Sequence, residues 1–188
     1  MAFQLETKRL ILRDFCLQDH AAYLAFTSDP KYQRFYSEED CKAEKSLTLV
    51  TQFVSESKLT NRKSYNLAII DKDSNLLIGV CGVRLEADKQ ASVGCGLNRQ
   101  SQASGLAKEA IAGIFHFAFE QLHCHRLYAE TISENKAAIK LCLSVGMREE
   151  ARFIENRYFK EKWWSTSVLA VLKEEWQNNP INPLFSKK

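Results

Sequence analysis

Residues 93–110, VGCGLNRQSQASGLAKEA, are the stretch of this chain best suited to hold a ligand. Their pattern predicts a strand that enters a short polar loop and then an amphipathic helix. A helix start leaves backbone N–H groups unpaired and carries partial positive charge, so it favours phosphate. Gly105 lets the chain turn tightly, and the small residues Ala103, Ser104 and Ala107 leave room for a pyrophosphate. Upstream, Gly94 and Gly96 fall inside the strand, where glycine marks either a bulge or a close approach of ligand to backbone. An ordinary strand–helix connection would show the same features. Two other phosphate motifs are excluded, since neither G-x-x-x-x-G-K-[ST] nor G-x-G-x-x-G occurs.

The other reactive residue types are more scattered. Six cysteines stand at 16, 41, 81, 95, 124 and 142, with no Cys-x-x-Cys pair, which reads as reduced thiols acting mostly as small core residues. His123-Cys124-His125 lacks a second ligand cluster and falls at a helix–strand junction, so no metal site is expected. Trp163-Trp164, with Phe153, Tyr158 and Phe159, suits cross-strand packing in a hairpin or the lining of a pocket. Residues 148–152 read as a solvated strand face. With 26 Lys and Arg against 23 Asp and Glu, the net charge of +3 falls short of a nucleic-acid binder. The start of the chain shows no signal-peptide pattern and no run reaches membrane-spanning length. A cytoplasmic protein without a membrane partner is expected.

The elements that must position these residues follow from hydrophobic periodicity. Strands are predicted at 5–15, 65–71, 76–85, 91–98 and 126–132, with two more over 147–164 and 165–175. Helices are predicted at 19–27, from a capping box at Ser37–Asp40 to about Lys58, at 106–122, and from Asn135 to Val145 with Gly146 as the C-terminal cap. Only 7 Gly and 3 Pro interrupt the chain. The order is a mixed α/β domain over 1–176, an antiparallel meander feeding a β-α-β crossover, with a tail at 177–188.

Gln102-Ala103-Ser104-Gly105-Leu106-Ala107 matches Q/R-x-x-G-x-G/A, the acetyl-CoA signature of the GNAT superfamily, at all three specified positions. Glu6-Thr7-Lys8-Arg9-Leu10-Ile11-Leu12-Arg13 resembles the E-T-x-R-L-x-L-R opening of its ribosomal-protein-alanine acetyltransferase branch. Glu134-Asn135-Lys136-Ala137-Ala138 with Val145-Gly146-Met147, and Trp163 with residues 168–172, are similar to two later blocks of that branch. The resemblance implies a mostly antiparallel sheet flanked by about four helices and splayed between the strands at 91–98 and 126–132. It implies acetyl-CoA as co-substrate, its pantetheine paired to Cys95, Gly96 and Leu97 and hydrogen-bonded by Asn135. The pyrophosphate would lie on the loop of Gln102, Ala103, Ser104, Gly105, Leu106 and Ala107.

The implied activity is N-acetylation of a primary amine by direct attack in a ternary complex, a backbone N–H of the 95–97 segment polarising the carbonyl. The amine could belong to a protein N-terminus, a polyamine, an amino acid or an aminoglycoside. Phe35 and Tyr36 stand where the family's acceptor site is walled. The chain departs from the family at its proton-transfer positions: Ser92 replaces a common Glu, Cys142 a common Tyr, Ala138 a Ser and Ser165 an Asp. Cys142 is then a candidate acid or a buried packing residue, and Glu130 or a water chain a candidate base. A non-catalytic acyl-CoA-binding module and the use of another acyl donor are the alternatives. Exposed edge strands allow a monomer or a homodimer.

Overall fold

The structure, a computed structural model, describes residues 3–178. Five strands form a meander: β1 (Gln4–Glu6), β2 (Leu10–Asp14), β3 (Ser64–Asp71), β4 (Leu77–Leu85) and β5 (Gln90–Leu97). The sheet continues into β6 (Arg126–Ile132) and a hairpin of β7 (Arg148–Phe159) and β8 (Lys162–Leu172). Its order is β1-β2-β3-β4-β5-β6-β8-β7, and β5–β6 is the parallel pair. The helices are α1 (His20–Thr27), α2 (Ala43–Ser57), α3 (Leu106–His116), α4 (Lys136–Ser144) and α5 (Lys173–Gln177).

Helices cover both faces because strand side chains alternate. Along β3, Leu67 and Ile69 join the main core with Ile114, Phe115 and Phe119. Between them in sequence, Ala68 and Ile70 join a second core with Tyr23 and Phe26 of α1 and Val50 and Phe53 of α2. Among the described residues no helix is long and apolar enough to cross a membrane.

Several predicted boundaries move. The strand expected over 5–15 is a hairpin, because Thr7 turns the chain: its N–H donates to the Leu10 carbonyl at 2.9 Å and its Oγ1 accepts from Leu10 N at 3.1 Å. Ser37 and Asp40 do bond each other, yet only as an isolated turn, since extended Lys42 intervenes before α2 begins at Ala43. The helix expected to Leu122 ends at His116 and widens into a π turn over Phe117–Gln121. That wide turn buries Phe117, Ala118 and Phe119 in succession, which one stripe of a regular helix cannot do.

At the end of the chain, the last hairpin turns at Lys160-Glu161, both in the left-handed region, rather than near 164. The strand expected to Glu175 gives way to α5 at Lys173, where the Glu175 carboxylate accepts from Leu172 N at 2.8 Å. Of the tail expected at 177–188, Gln177 closes α5 and residues from 179 onward lie outside the described part.

Candidate functional site

β5 and β6 pair at only three rungs, Gln90↔Arg126, Ala91↔Leu127 and Ser92↔Tyr128, and then part. On its other side β5 stays in register with β4 through Leu97↔Gly79. The opening meets a cleft of about 1200 Å³ lined by Ser92, Gly94, Cys95, Gly96, Glu130 and Asn135 from the sheet side. Phe35 and Tyr36 line the opposite wall, with Tyr32 beside them.

The glycines of β5 are not a bulge, since Gly94 and Gly96 pair squarely with Gly82 and Val80. They are close-approach positions. A Cβ on Gly94 would meet nothing within 4 Å, so the strand is open to the cleft there. A Cβ on Gly96 would stand 2.7 Å from the Tyr32 hydroxyl. Tyr32 is a site residue that the sequence did not reveal; no local motif surrounds it, and only the fold carries it to β5.

At the end of β5 the loop is set by its own side chains. Asn98 Oδ1 accepts from Ser101 N at 2.8 Å, Gln102 Nε2 donates to the Leu97 carbonyl at 3.1 Å, and the Ser104 hydroxyl donates to the Ser101 carbonyl at 2.7 Å. Ala103 and Gly105 both have positive φ, +61° and +80°. Gly105 is the N-cap of α3 and its carbonyl accepts the first helical bond, from Glu109 N at 3.1 Å. The amides of Leu106, Ala107 and Lys108 precede that bond and have no helical carbonyl to reach. This loop lies beyond the cleft lining, at the far end of the same strand.

Glu109, near the start of α3, anchors the loop. Its carboxylate accepts from Thr7 Oγ1 at 2.7 Å, Arg9 N at 2.6 Å and Arg9 Nε at 2.7 Å, while Arg9 Nη1 donates to the Ser104 carbonyl at 3.1 Å. Burial opposes its ionisation, but the Thr7 and Arg9 bonds outweigh it and hold the carboxyl below its ordinary 4.5. The stabilisation is therefore complete above pH 4.5 and is lost as pH falls through the folded value. Thermal melts should show a weaker acid-side fall for Glu109→Gln than for the parent; an identical fall would contradict this.

Asn135 is the N-cap of α4, its Oδ1 accepting from Ala138 N at 3.3 Å, which leaves the amide NH₂ as its remaining donor group. Cys142 packs on the main core beside Cys95 and does not line the cleft. Burial pushes the Cys142 thiol up to about 11, and burial with the neighbouring Cys142 pushes Cys95 up to about 12. Phe35 packs edge-on against Trp164 at 5.8 Å, and Tyr36 stacks on Tyr32 at 5.3 Å. In the aromatic hairpin Tyr158 packs on Trp163 and Phe159 on Trp164; Tyr158 and Phe159 also line the cleft, whereas Phe153, Trp163 and Trp164 stand outside its lining. The hairpin turn holds the aromatic wall, as Lys160 N donates to Glu38 at 2.8 Å and Lys160 Nζ to the Gln33 carbonyl at 2.7 Å. Of the 123–125 triplet, Cys124 is buried.

A mixed sheet parted beside a parallel pair, with a glycine-capped helix at the end of the parted strand, defines an acyl-CoA N-acyltransferase fold. The family model of the acetyltransferase (GNAT) domain matches residues 9–148, and the chain belongs to that family of acyltransferases. It is 29% identical over 176 residues to the uncharacterized N-acetyltransferase YnaD of Bacillus subtilis, covering 90% of this chain and 97% of that one. Its fold is that of the ribosomal-protein-S5-alanine acetyltransferase from Vibrio fischeri, at a TM-score of 0.76 and 16% identity over 93% of this chain and 98% of the other. Mycobacterium smegmatis RimJ, solved with CoA-disulfide, superposes at 0.79 with 16% identity over 98% of this chain and 93% of its own. The family uses acetyl-CoA and acts on amine acceptors.

Proposed function

We propose that this chain moves the acetyl group of acetyl-CoA to a primary amine by direct attack, with both substrates bound together. The observation that carries the reading is the parting of β5 from β6 after Ser92↔Tyr128, with the cleft at the opening and the Gly105 cap at the strand's end. The thioester supplies the activated acyl group. The amides opening α3 bind the diphosphate, and Gln102 and Ser104 keep the loop in shape for it. The backbone of Cys95, Gly96 and Leu97, unpaired on the β6 side, is available to the pantetheine amides, as is the Asn135 NH₂.

Within the cleft, Phe35 and Tyr36 wall the acceptor, and a β5 amide polarises the carbonyl. Glu130 lines the same space, with Arg157 3.7 Å away, and is placed to receive the ammonium proton directly or through water. Cys142 is the weaker partner for the departing sulfur. A thiol held at about 11 gives its proton uphill to a thiolate of ordinary pKa about 8.5, and Cys142 does not line the cleft, so the sulfur departs as the thiolate.

The test is thiol release from acetyl-CoA across a panel of primary amines: a peptide N-terminus, a polyamine, an amino acid and an aminoglycoside. At least one amine should accelerate release well above the amine-free rate. Tight CoA binding with no release from any of them would replace the transferase reading with that of an acyl-CoA-binding module.

A further inference from the structure

Tyr32 comes from the connection between α1 and α2, far in sequence from the strand it touches. Its ring is fixed on two sides, edge-on against Phe26 at 5.2 Å and stacked with Tyr36 at 5.3 Å and 9°. The hydroxyl reaches the β5 backbone: a Cβ on Gly96 would come within 2.7 Å of Oη and 3.2 Å of Cζ. Glycine at 96 is what admits the phenol.

Two residues back on the same face, Gly94 leaves open space. Residues i and i+2 of a strand are about 7 Å apart. A carbonyl on that face midway between them, over residue 95, is about 3.4 Å along the strand from residue 96 and so near hydrogen-bond reach of a hydroxyl hanging there. The Tyr32 and Tyr36 hydroxyls are 3.5 Å apart and share a single hydrogen bond, so one of their two protons remains for another acceptor. Burial, reinforced by Tyr36, holds the Tyr32 pKa well above 10, so the phenol stays protonated and acts as a donor.

Resting on the acetyl-transfer reading, we propose that the Tyr32 hydroxyl is a second hydrogen-bond donor to the thioester carbonyl, beside the β5 backbone amide, and hence a catalytic residue of this chain. Negative charge builds on that oxygen as the amine attacks, and a fixed donor in a partly dry cleft stabilises it. Tyr32 keeps its proton throughout, and no bond is made or broken on it. The donor comes from the aromatic wall, so the surface that receives the amine also activates the acyl group.

The experiment is isotope-edited infrared spectroscopy of [1-13C]acetyl-CoA bound to the full chain, with calorimetry and steady-state kinetics on the same samples. Tyr32→Phe keeps the ring packing and should move the carbonyl stretch to higher frequency. It should also lower kcat about 100-fold while CoA affinity is unchanged. Gly96→Ala, which pushes the hydroxyl off the strand, should move the stretch in the same direction. A stretch identical in the parent and Tyr32→Phe overturns the proposal, and a loss of kcat without a spectral shift assigns Tyr32 a purely structural role. If the parent fails to bind acetyl-CoA, the acetyl-transfer reading falls and this inference with it; binding with an unmoved stretch removes this inference alone.

Discussion

Gly105→Glu should weaken CoA binding by at least about 100-fold in titration calorimetry. Two effects act together. At φ +80° an L-residue is strained by about 1–2 kcal/mol, which the loop relieves by shifting and so spoiling its amide geometry. The new carboxylate also faces the diphosphate. At about 5 Å and an effective dielectric near 20, one charge pair is repelled by roughly 3 kcal/mol, itself about 100-fold in affinity. Gly105→Ala isolates the backbone effect and should cost about 30-fold at most. Steric clash with neighbouring groups contributes nothing to either variant at the Cβ, whose nearest neighbour would be Arg9 Nη2 at 3.6 Å. Unchanged affinity in Gly105→Glu would move the diphosphate away from this helix.

The largest effect on stability is expected from Asp14→Ala. Asp14 Oδ1 and Arg62 Nη1 are 2.7 Å apart, with side chains only 9% and 7% exposed. The approach is not along a hydrogen-bond direction, and Arg62 Nη2 has no partner among the described residues, so the contact is chiefly Coulombic. Arg62 also lies over the Tyr65 ring at 4.2 Å and donates from Nε to the Ser64 carbonyl at 2.7 Å, which fixes its head in place. Removing the carboxylate leaves that cation without a counter-charge, at a cost of about 3–5 kcal/mol. For a chain of this size the melting temperature should fall by about 10 °C or more. The double variant Asp14→Ala, Arg62→Met should recover most of the loss, because no unpaired charge remains. A drop of only about 2 °C in the single variant would show that the pair is solvated and dispensable.

The parts of the fold legible in the sequence are those with a local cause. The amphipathic stripe of α3, the Asn135 cap, the Gly146 terminus and the strands β3 to β6 each carry their signal within a few residues. What escaped depends on contacts distant in sequence or on turns without turn residues. Lys160 and Glu161 adopt positive φ although neither is Gly or Asn, so nothing locally announces the β7–β8 turn. Glu109 looks like a surface residue until the β1–β2 turn brings Thr7 and Arg9 against it, about 100 residues away. The tight loop before α3 was legible because Gly105 and its small neighbours are consecutive. Tyr32 was not, because its partner Gly96 lies on another element and the contact exists only once α1 and α2 cover the sheet.

On the acetyl-transfer reading, the parting of β5 from β6 makes the endurance of this protein depend on its co-substrate. Past Ser92, the rim of β5 that faces β6 carries peptide groups with no neighbouring strand among the described residues to satisfy them. A guest that adds its own amides to that rim completes the sheet, so the folded form gains with every rise in guest concentration while the unfolded form gains nothing. At a hundredfold excess over the dissociation constant the gain is about 2.7 kcal/mol. Starved of its thioester partner, the chain would be softer and more readily cleared.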